Sequence, residues 1–239
     1  HMDKPQRVYA KRRFTLVFLL IVTVAGLLAG CGQKQARTKP PVSEPVACVI
    51  MIDGTGSYEH LDKAKHTARK VIAELPAGSR VYVRWITENS QSDRSGIVST
   101  QLPRIEKPKN SFDLREKQRY TTAVTRIRKQ RQEIFDALSA AASPRAMRTD
   151  IYGALAAASV RFDGSIEMKP LLIMMTDMVD NVRNSHIEVN LKNARVKILD
   201  FQVGSNDAEL KSNWRQYLSS HGASGVDFAH LDDPYKGGK

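Results

Sequence analysis

Asp53, Thr55 and Ser57 offer one carboxylate and two hydroxyls at alternate positions, with Gly54 and Gly56 between them. Oxygens spaced in this way converge on one point in a tight loop, and glycine permits the backbone angles such a loop can need. The set is hard and oxygen-only, which suits Mg²⁺ or Mn²⁺ and suits zinc poorly. The same pattern also describes a plain polar turn between a strand and a helix. The rest of the chain has to separate the two readings.

The elements that would position these residues are legible. Val49 to Ile52 is a continuous apolar run, the mark of a strand buried on both faces in a parallel sheet. It delivers Asp53 to its C-terminal end, where open α/β sheets place their ligand sites. Leu61, Ala64, Ala68, Val71, Ile72 and Leu75 recur at helical spacing, and Pro76-Ala77-Gly78 stops that helix. Arg80–Ile86 and Gly96–Leu102 read as strands. A second apolar run, Pro170–Met175, leads into Thr176-Asp177. Strands follow at Arg195–Val203 and Val226–Ala229, with a helix between them from Asp207 to Ser220. Strands alternating with helices predict a doubly wound α/β domain with a mostly parallel sheet and helices on both faces. The insertion at 103–148 stands outside that plan. Its stretch from Ser111 to Ala142 reads as one long helix with Tyr120, Val124, Ile127, Ile134 and Leu138 on a stripe. Arg126, Arg128, Lys129 and Arg131 make it basic, and two readings stand for them: a docking surface for an anionic partner, or a solvated helix face.

Three segments together carry a resemblance. Asp53-Gly54-Thr55-Gly56-Ser57, the loop and helix start Thr149-Asp150-Ile151-Tyr152-Gly153-Ala154-Leu155, and the strand end Thr176-Asp177 resemble, in that order, the metal-ion-dependent adhesion site of the von Willebrand factor A family. Thr55 stands where the family has Ser, and Met178 where it has Gly after Thr-Asp. The resemblance implies that Asp53, Thr55, Ser57, Thr149 and Asp177 surround Mg²⁺ or Mn²⁺. It also implies that a partner protein completes the ion's shell with an Asp or Glu carboxylate. Thr149 or Asp150 serves equally as a helix N-cap, and the two roles are compatible.

The amino terminus carries a different signal. Lys11-Arg12-Arg13 precedes about fifteen mostly apolar residues, Phe14 to Leu28. A basic region before an apolar run of that length has the form of a secretory signal, short for a stable membrane span. Its end, Leu28-Ala29-Gly30-Cys31, resembles a bacterial lipobox. This implies cleavage before Cys31 and lipidation of Cys31, with residues 1–30 as signal peptide. Gln33 to Pro45, with three prolines, reads as the end of a tether over residues 31–45. The folded domain is expected over 46–230 and a loose tail over 231–239. Gly32, where an Asp would favour inner-membrane retention, leans the anchor towards the periplasmic face of the outer membrane. Cys48, at the start of a buried strand, reads as a small core hydrophobe.

The net charge is +12, of which residues 1–30 account for +4, leaving +8 on the rest. That balance favours anionic partners. No nucleic-acid recognition motif accompanies it, and none is expected to be bound. The leading reading is a non-enzymatic, lipid-anchored envelope protein that binds a protein through a divalent cation. Two alternatives remain. Ile50 to Gly56 resembles the Asp-x-Asp-x-Thr loop of haloacid dehalogenase phosphatases, but Thr55 stands where the second carboxylate would act as general acid/base. The other alternative is a scaffold whose metal site has decayed, since Thr55 and Met178 depart from the pattern.

Overall fold

The computed structural model describes residues 44–110, 112–165, 167–183, 186–201 and 207–234. The signal segment, Cys31 and most of the tether lie outside them. Among the described residues six strands run β1 (Val46–Asp53), β2 (Arg80–Ile86), β3 (Gly96–Gln101), β4 (Lys169–Met175), β5 (Arg195–Leu199) and β6 (Gly225–Ala229). Four helices join them: α1 (Leu61–Glu74), α2 (Leu114–Ala140), α3 (Ile151–Asp163) and α4 (Asp207–Ser220). The strands form one sheet in the order β3-β2-β1-β4-β5-β6. Every neighbouring pair is parallel except β2 with β3, which places the short antiparallel strand at an edge.

β1 shows why the sequence folds this way. Side chains alternate across a strand, so Ala47, Val49 and Met51 enter one core and Cys48, Ile50 and Ile52 the other, and all six are fully buried. The first core is closed by α3 and α4, through Ile151, Leu155, Phe162 and Leu218. The second is closed by α1 and α2, through Ala68, Ile72, Ile134 and Leu138. Each fully buried Ile or Leu contributes about 1.5–3 kcal/mol. The doubly wound plan expected from the sequence is the observed one.

The insertion supplies a structural layer. Asp113 caps α2 by accepting from the backbone N–H groups of Arg115 and Glu116 at 2.8 and 3.2 Å. The helix therefore starts at Leu114, three residues after the point the apolar stripe indicated. It is bound to α1 through polar ends: Lys65 Nζ donates to Ala141 O at 2.6 Å, and Arg131 donates to Leu75 O at 2.6 Å. The domain also runs further than the sequence indicated, where a loose tail was expected from residue 231. Leu231 is buried, its carbonyl accepts from Thr67 Oγ1 at 2.7 Å, and Lys197 Nζ donates to Pro234 O at 2.6 Å. Residues 231–234 thus belong to the domain, because one apolar side chain closes the second core there. β5 stops at Leu199, short of the strand expected through Val203, because Asp200 turns the backbone to φ 73°.

Cys48 has no disulfide partner among the described residues, and burial pushes its thiol up to about 12. Only the thiolate reacts. In native protein near pH 8, Cys48 is expected to resist a thiol reagent for as long as the fold persists, and to label at once in denaturant. Peptide mapping that found Cys48 rapidly modified in the native state would remove it from the core. Its folded pKa lies above the unfolded one, so its contribution to stability is present below 9.0 and declines as pH rises from there towards 12.

Candidate functional site

Three strands end in carboxylates at the same edge of the sheet. Asp53 closes β1, Asp177 follows β4 by two residues, and Asp200 follows β5 directly. β1 and β4 are hydrogen-bonded neighbours, with Ile52 opposite Met175. The winding reverses between them, which opens a crevice at their carboxyl ends. A cavity of about 460 Å³ lies there, lined by Asp53, Thr55, Ser57, Thr149 and Asp177. Tyr58, His60, Asn181 and Asp200 share its wall. The structure therefore brings together all five residues that the resemblance singled out.

The loop after β1 is held from both sides. Gly54 N donates to Ile86 O at 2.9 Å, Gly56 N to Ala146 O at 3.0 Å, and Ala146 N to Gly54 O at 3.0 Å. Residues past the end of α2 thus form a parallel bridge with the loop, Thr55 opposite Ala146. Neither Gly54 nor Gly56 has a positive φ. Their sequence rationale, freedom of backbone angle, is replaced at Gly54 by close approach: a Cβ there would meet Pro144 Cγ at 2.6 Å and Ile86 O at 3.1 Å.

Asp53 is buried, and both its oxygens are engaged. Oδ1 accepts from Thr55 N at 2.9 Å and from Thr55 Oγ1 at 2.7 Å, and Oδ2 accepts from Thr176 Oγ1 at 2.9 Å. Because Thr55 gives its hydroxyl proton to Asp53, the lone pairs of Oγ1 are left as donors to a cation. Ser57 Oγ stands 3.4 Å from Thr55 Oγ1. Among the described residues no three His, Cys, Asp or Glu side chains converge as a metal cluster by themselves. The site is a mixed set of hydroxyls and carboxylates, the hard chemistry that Mg²⁺ and Mn²⁺ favour. Asp177 fits the same picture. Burial first, then the carboxylates of Asp53 and Asp200, push its pKa above the usual range. A cation would relieve that crowding of negative charge.

Thr149 and Asp150 separate into two roles. Asp150 is the N-cap of α3, accepting from Gly153 N at 2.8 Å. Thr149 is held by backbone bonds instead: its N donates to Asn181 Oδ1 at 2.7 Å, and its carbonyl accepts from Asn181 N at 3.1 Å. Its side chain is therefore spared from capping. Asp180 also serves the helix start, accepting from Ile151 N at 2.8 Å. Met178, which replaces a glycine of the family pattern, keeps a left-handed backbone at φ 63°. That conformation costs a non-glycine residue roughly 1–2 kcal/mol, and the buried Met178 side chain offsets it by joining the first core.

Asp200, Tyr58 and His60 were not among the sequence candidates. His60 Nδ1 and Asp200 Oδ2 are 2.8 Å apart across the cavity wall. The buried Tyr58 hydroxyl faces Asp200, and its pKa is raised by burial first and then by the charge of Asp200 and a hydrogen bond to it. The signal for Asp200 was available: an apolar strand running into a carboxylate, as at Asp53 and Asp177. The basic residues of α2 fall in another place. Arg126 and Arg128 are exposed, Lys129 pairs with Glu133 at 3.9 Å, and Arg131 is half-buried in its bond to Leu75 O.

No protein-family model and no curated protein sequence matches the chain. Solved structures do. A von Willebrand factor type A protein from Catenulispora acidiphila superimposes with a TM-score of 0.52 at 16% identity, over 80% of this chain and 40% of that one. The fold is von Willebrand factor A-like. The chain spans about 40% of the length of that neighbour. Proximal thread matrix protein 1 from the mussel byssus, with a zinc-occupied MIDAS motif, gives a TM-score of 0.44 at 11% identity, over 80% of this chain and 46% of that one. An aerotolerance-related membrane protein from Bacteroides fragilis gives 0.41 at 13% identity, over 79% and 92%. In this von Willebrand factor A-like domain the cavity lies where the sheet's winding reverses. No described helix is long and apolar enough to cross a membrane.

Proposed function

We propose that this von Willebrand factor A-like domain binds a protein partner through a divalent cation held by Asp53, Thr55, Ser57, Thr149 and Asp177. The reading rests on one observation: these residues, from three distant segments, line one cavity in which the Thr55 hydroxyl proton is already given to Asp53. The cation, Mg²⁺ or Mn²⁺, supplies charge to be neutralised, and an Asp or Glu of the partner supplies the missing carboxylate. The retained left-handed turn at Met178 supports an intact site over a decayed one. The function is non-enzymatic. Asp53 has both oxygens engaged and is buried, and Thr55 offers no general acid, which disfavours a phosphatase-type nucleophile. The domain is held at the envelope, on the periplasmic face of the outer membrane, by a lipid on Cys31. Intact mass of membrane-extracted protein lacking a lipid adduct on Cys31 would refute that anchor.

The partner test is crosslinking and pull-down from membranes with and without chelator. Capture is expected to fall at least tenfold with chelator and to return with Mg²⁺. Capture that ignores chelator would refute the metal bridge. Reversal of Arg126 and Arg128 to Glu, measured in the same assay, separates the readings of the basic helix. A docking role predicts weaker, salt-sensitive capture, and unchanged capture assigns those side chains to solvent. Arg131 is unsuited to that comparison, since its removal would leave Leu75 O without its donor.

A further inference from the structure

Beside the cation cavity lies a second one of about 420 Å³, and Asp177 and Val179 line both. Its walls are aromatic: Tyr152, Phe201, Trp214 and Tyr217. Three of these rings pack together: Tyr217 meets Tyr152 and Trp214 edge-on, with centroids 5.2 and 5.8 Å apart, and Tyr152 and Trp214 are tilted at 39° with centroids 5.7 Å apart. Asp177, Asp180 and Asn213 share the lining with the apolar Met178, Val179 and Leu210, and no basic residue belongs to it. Neither carboxylate is paired with a described Lys, Arg or His. Asp180 spends its oxygens on backbone N–H groups, Ile151 at 2.8 Å and Arg183 at 2.7 Å, which leaves its charge in place. That charge reaches the rings: the Tyr152 phenol is pushed up by burial first and then by Asp180. In a chain of net charge +12, a pocket with two acids and four aromatic rings stands out.

We infer that this pocket takes an organic cation, the guanidinium of an arginine on the partner protein. A guanidinium stacks on aromatic faces, offers five donors and needs acceptors. Phe201 already accepts a cation, with Lys211 Nζ 5.4 Å from its ring centre. The Tyr217 hydroxyl oxygen is buried without a partner among the described residues, an acceptor that a hydrocarbon side chain would leave unserved. A hydrocarbon would also bury the face of two carboxylates without neutralising their charge. The pocket's chemistry stands by itself. That the arginine and the carboxylate come from one partner rests on the proposed function, and the shared wall at Asp177 and Val179 would let one short segment reach both.

The test uses the full chain in chelator, so that it does not depend on cation binding. Acetyl-arginine methylamide and acetyl-norleucine methylamide are titrated separately, following the two indole N–H signals by NMR. The arginine compound is expected to shift the Trp214 signal to saturation and leave that of Trp85, which is 5% exposed, in place. The norleucine compound should bind at least fivefold more weakly. Asp180→Asn should weaken the arginine compound roughly tenfold. Because Asp180 also supports α3, Phe201→Leu is the second variant, expected to weaken it about threefold. An equal or tighter norleucine titration, or a Trp214 signal that never moves, would overturn the inference. Failure of the separate Mg²⁺ titration would overturn only the metal reading.

Discussion

Adding Mg²⁺ or Mn²⁺ to the metal-free protein is expected to raise its melting temperature by roughly 5–10 °C. A ligand at a hundred times its dissociation constant stabilises the state it binds by about 2.7 kcal/mol. In a domain of this size each kcal/mol moves the midpoint by about 2–4 °C. Asp53→Asn should abolish the shift, since it removes the negative charge that Thr55 and Thr176 orient. Asn is preferable to Ala here. Alanine would leave the buried Thr55 N–H without an acceptor, at about 1–3 kcal/mol, and confuse lost folding with lost binding. Scanning calorimetry with and without the ion decides the matter. A wild type that ignores both ions, or an Asp53→Asn protein that responds as the wild type does, would remove the cation from this site.

Gly54→Ala and Gly56→Ala should behave very differently, although the two glycines look equivalent in the sequence. An alanine Cβ at position 54 would stand 2.6 Å from Pro144 Cγ and 3.0 Å from Pro144 Cδ. Something has to move, and overpacking of this kind costs about 1–3 kcal/mol. What moves is the loop after β1 or the segment bridged to it at Ala146. The variant should therefore melt several degrees lower and lose most of the Mg²⁺-dependent shift. At position 56 the nearest atoms to a new Cβ are 4.0 Å away. Gly56→Ala should keep both the melting temperature and the response to Mg²⁺. Equal behaviour of the two variants would show that Pro144 does not restrain the loop.

Much of this molecule can be read from local pattern. The apolar runs before Asp53 and Asp177 announce strands buried on both faces, and buried β1 alternates between two cores as such a run must. Thr149 required the family pattern, since a threonine before a helix is ambiguous until Asp150 is seen to be the cap. Features made by tertiary contact were hidden. Asp200 carries the local sign of a strand running into a carboxylate, yet Phe201 and Val203 beyond it extended the expected strand, because nothing local reports its left-handed backbone. Leu231 lay in a polar stretch that looked loose, and only the open end of the second core gives it a place. Arg131 read as one of four surface cations, yet it reaches across to the end of α1.

The bond from Thr176 to Asp53 spans 123 positions of the chain. Parallel pairing of β1 with β4 has to precede it, and pairings so distant in sequence close late because the loop entropy comes first. No contiguous fragment carries the donor set: one part sits on residues 53–57, another at 149, another at 177. An emerging or half-folded chain therefore displays no competent surface, and a partner that requires this cavity meets only completed molecules. On the proposed function, recognition at this edge of the sheet would double as a quality check on the domain that carries it.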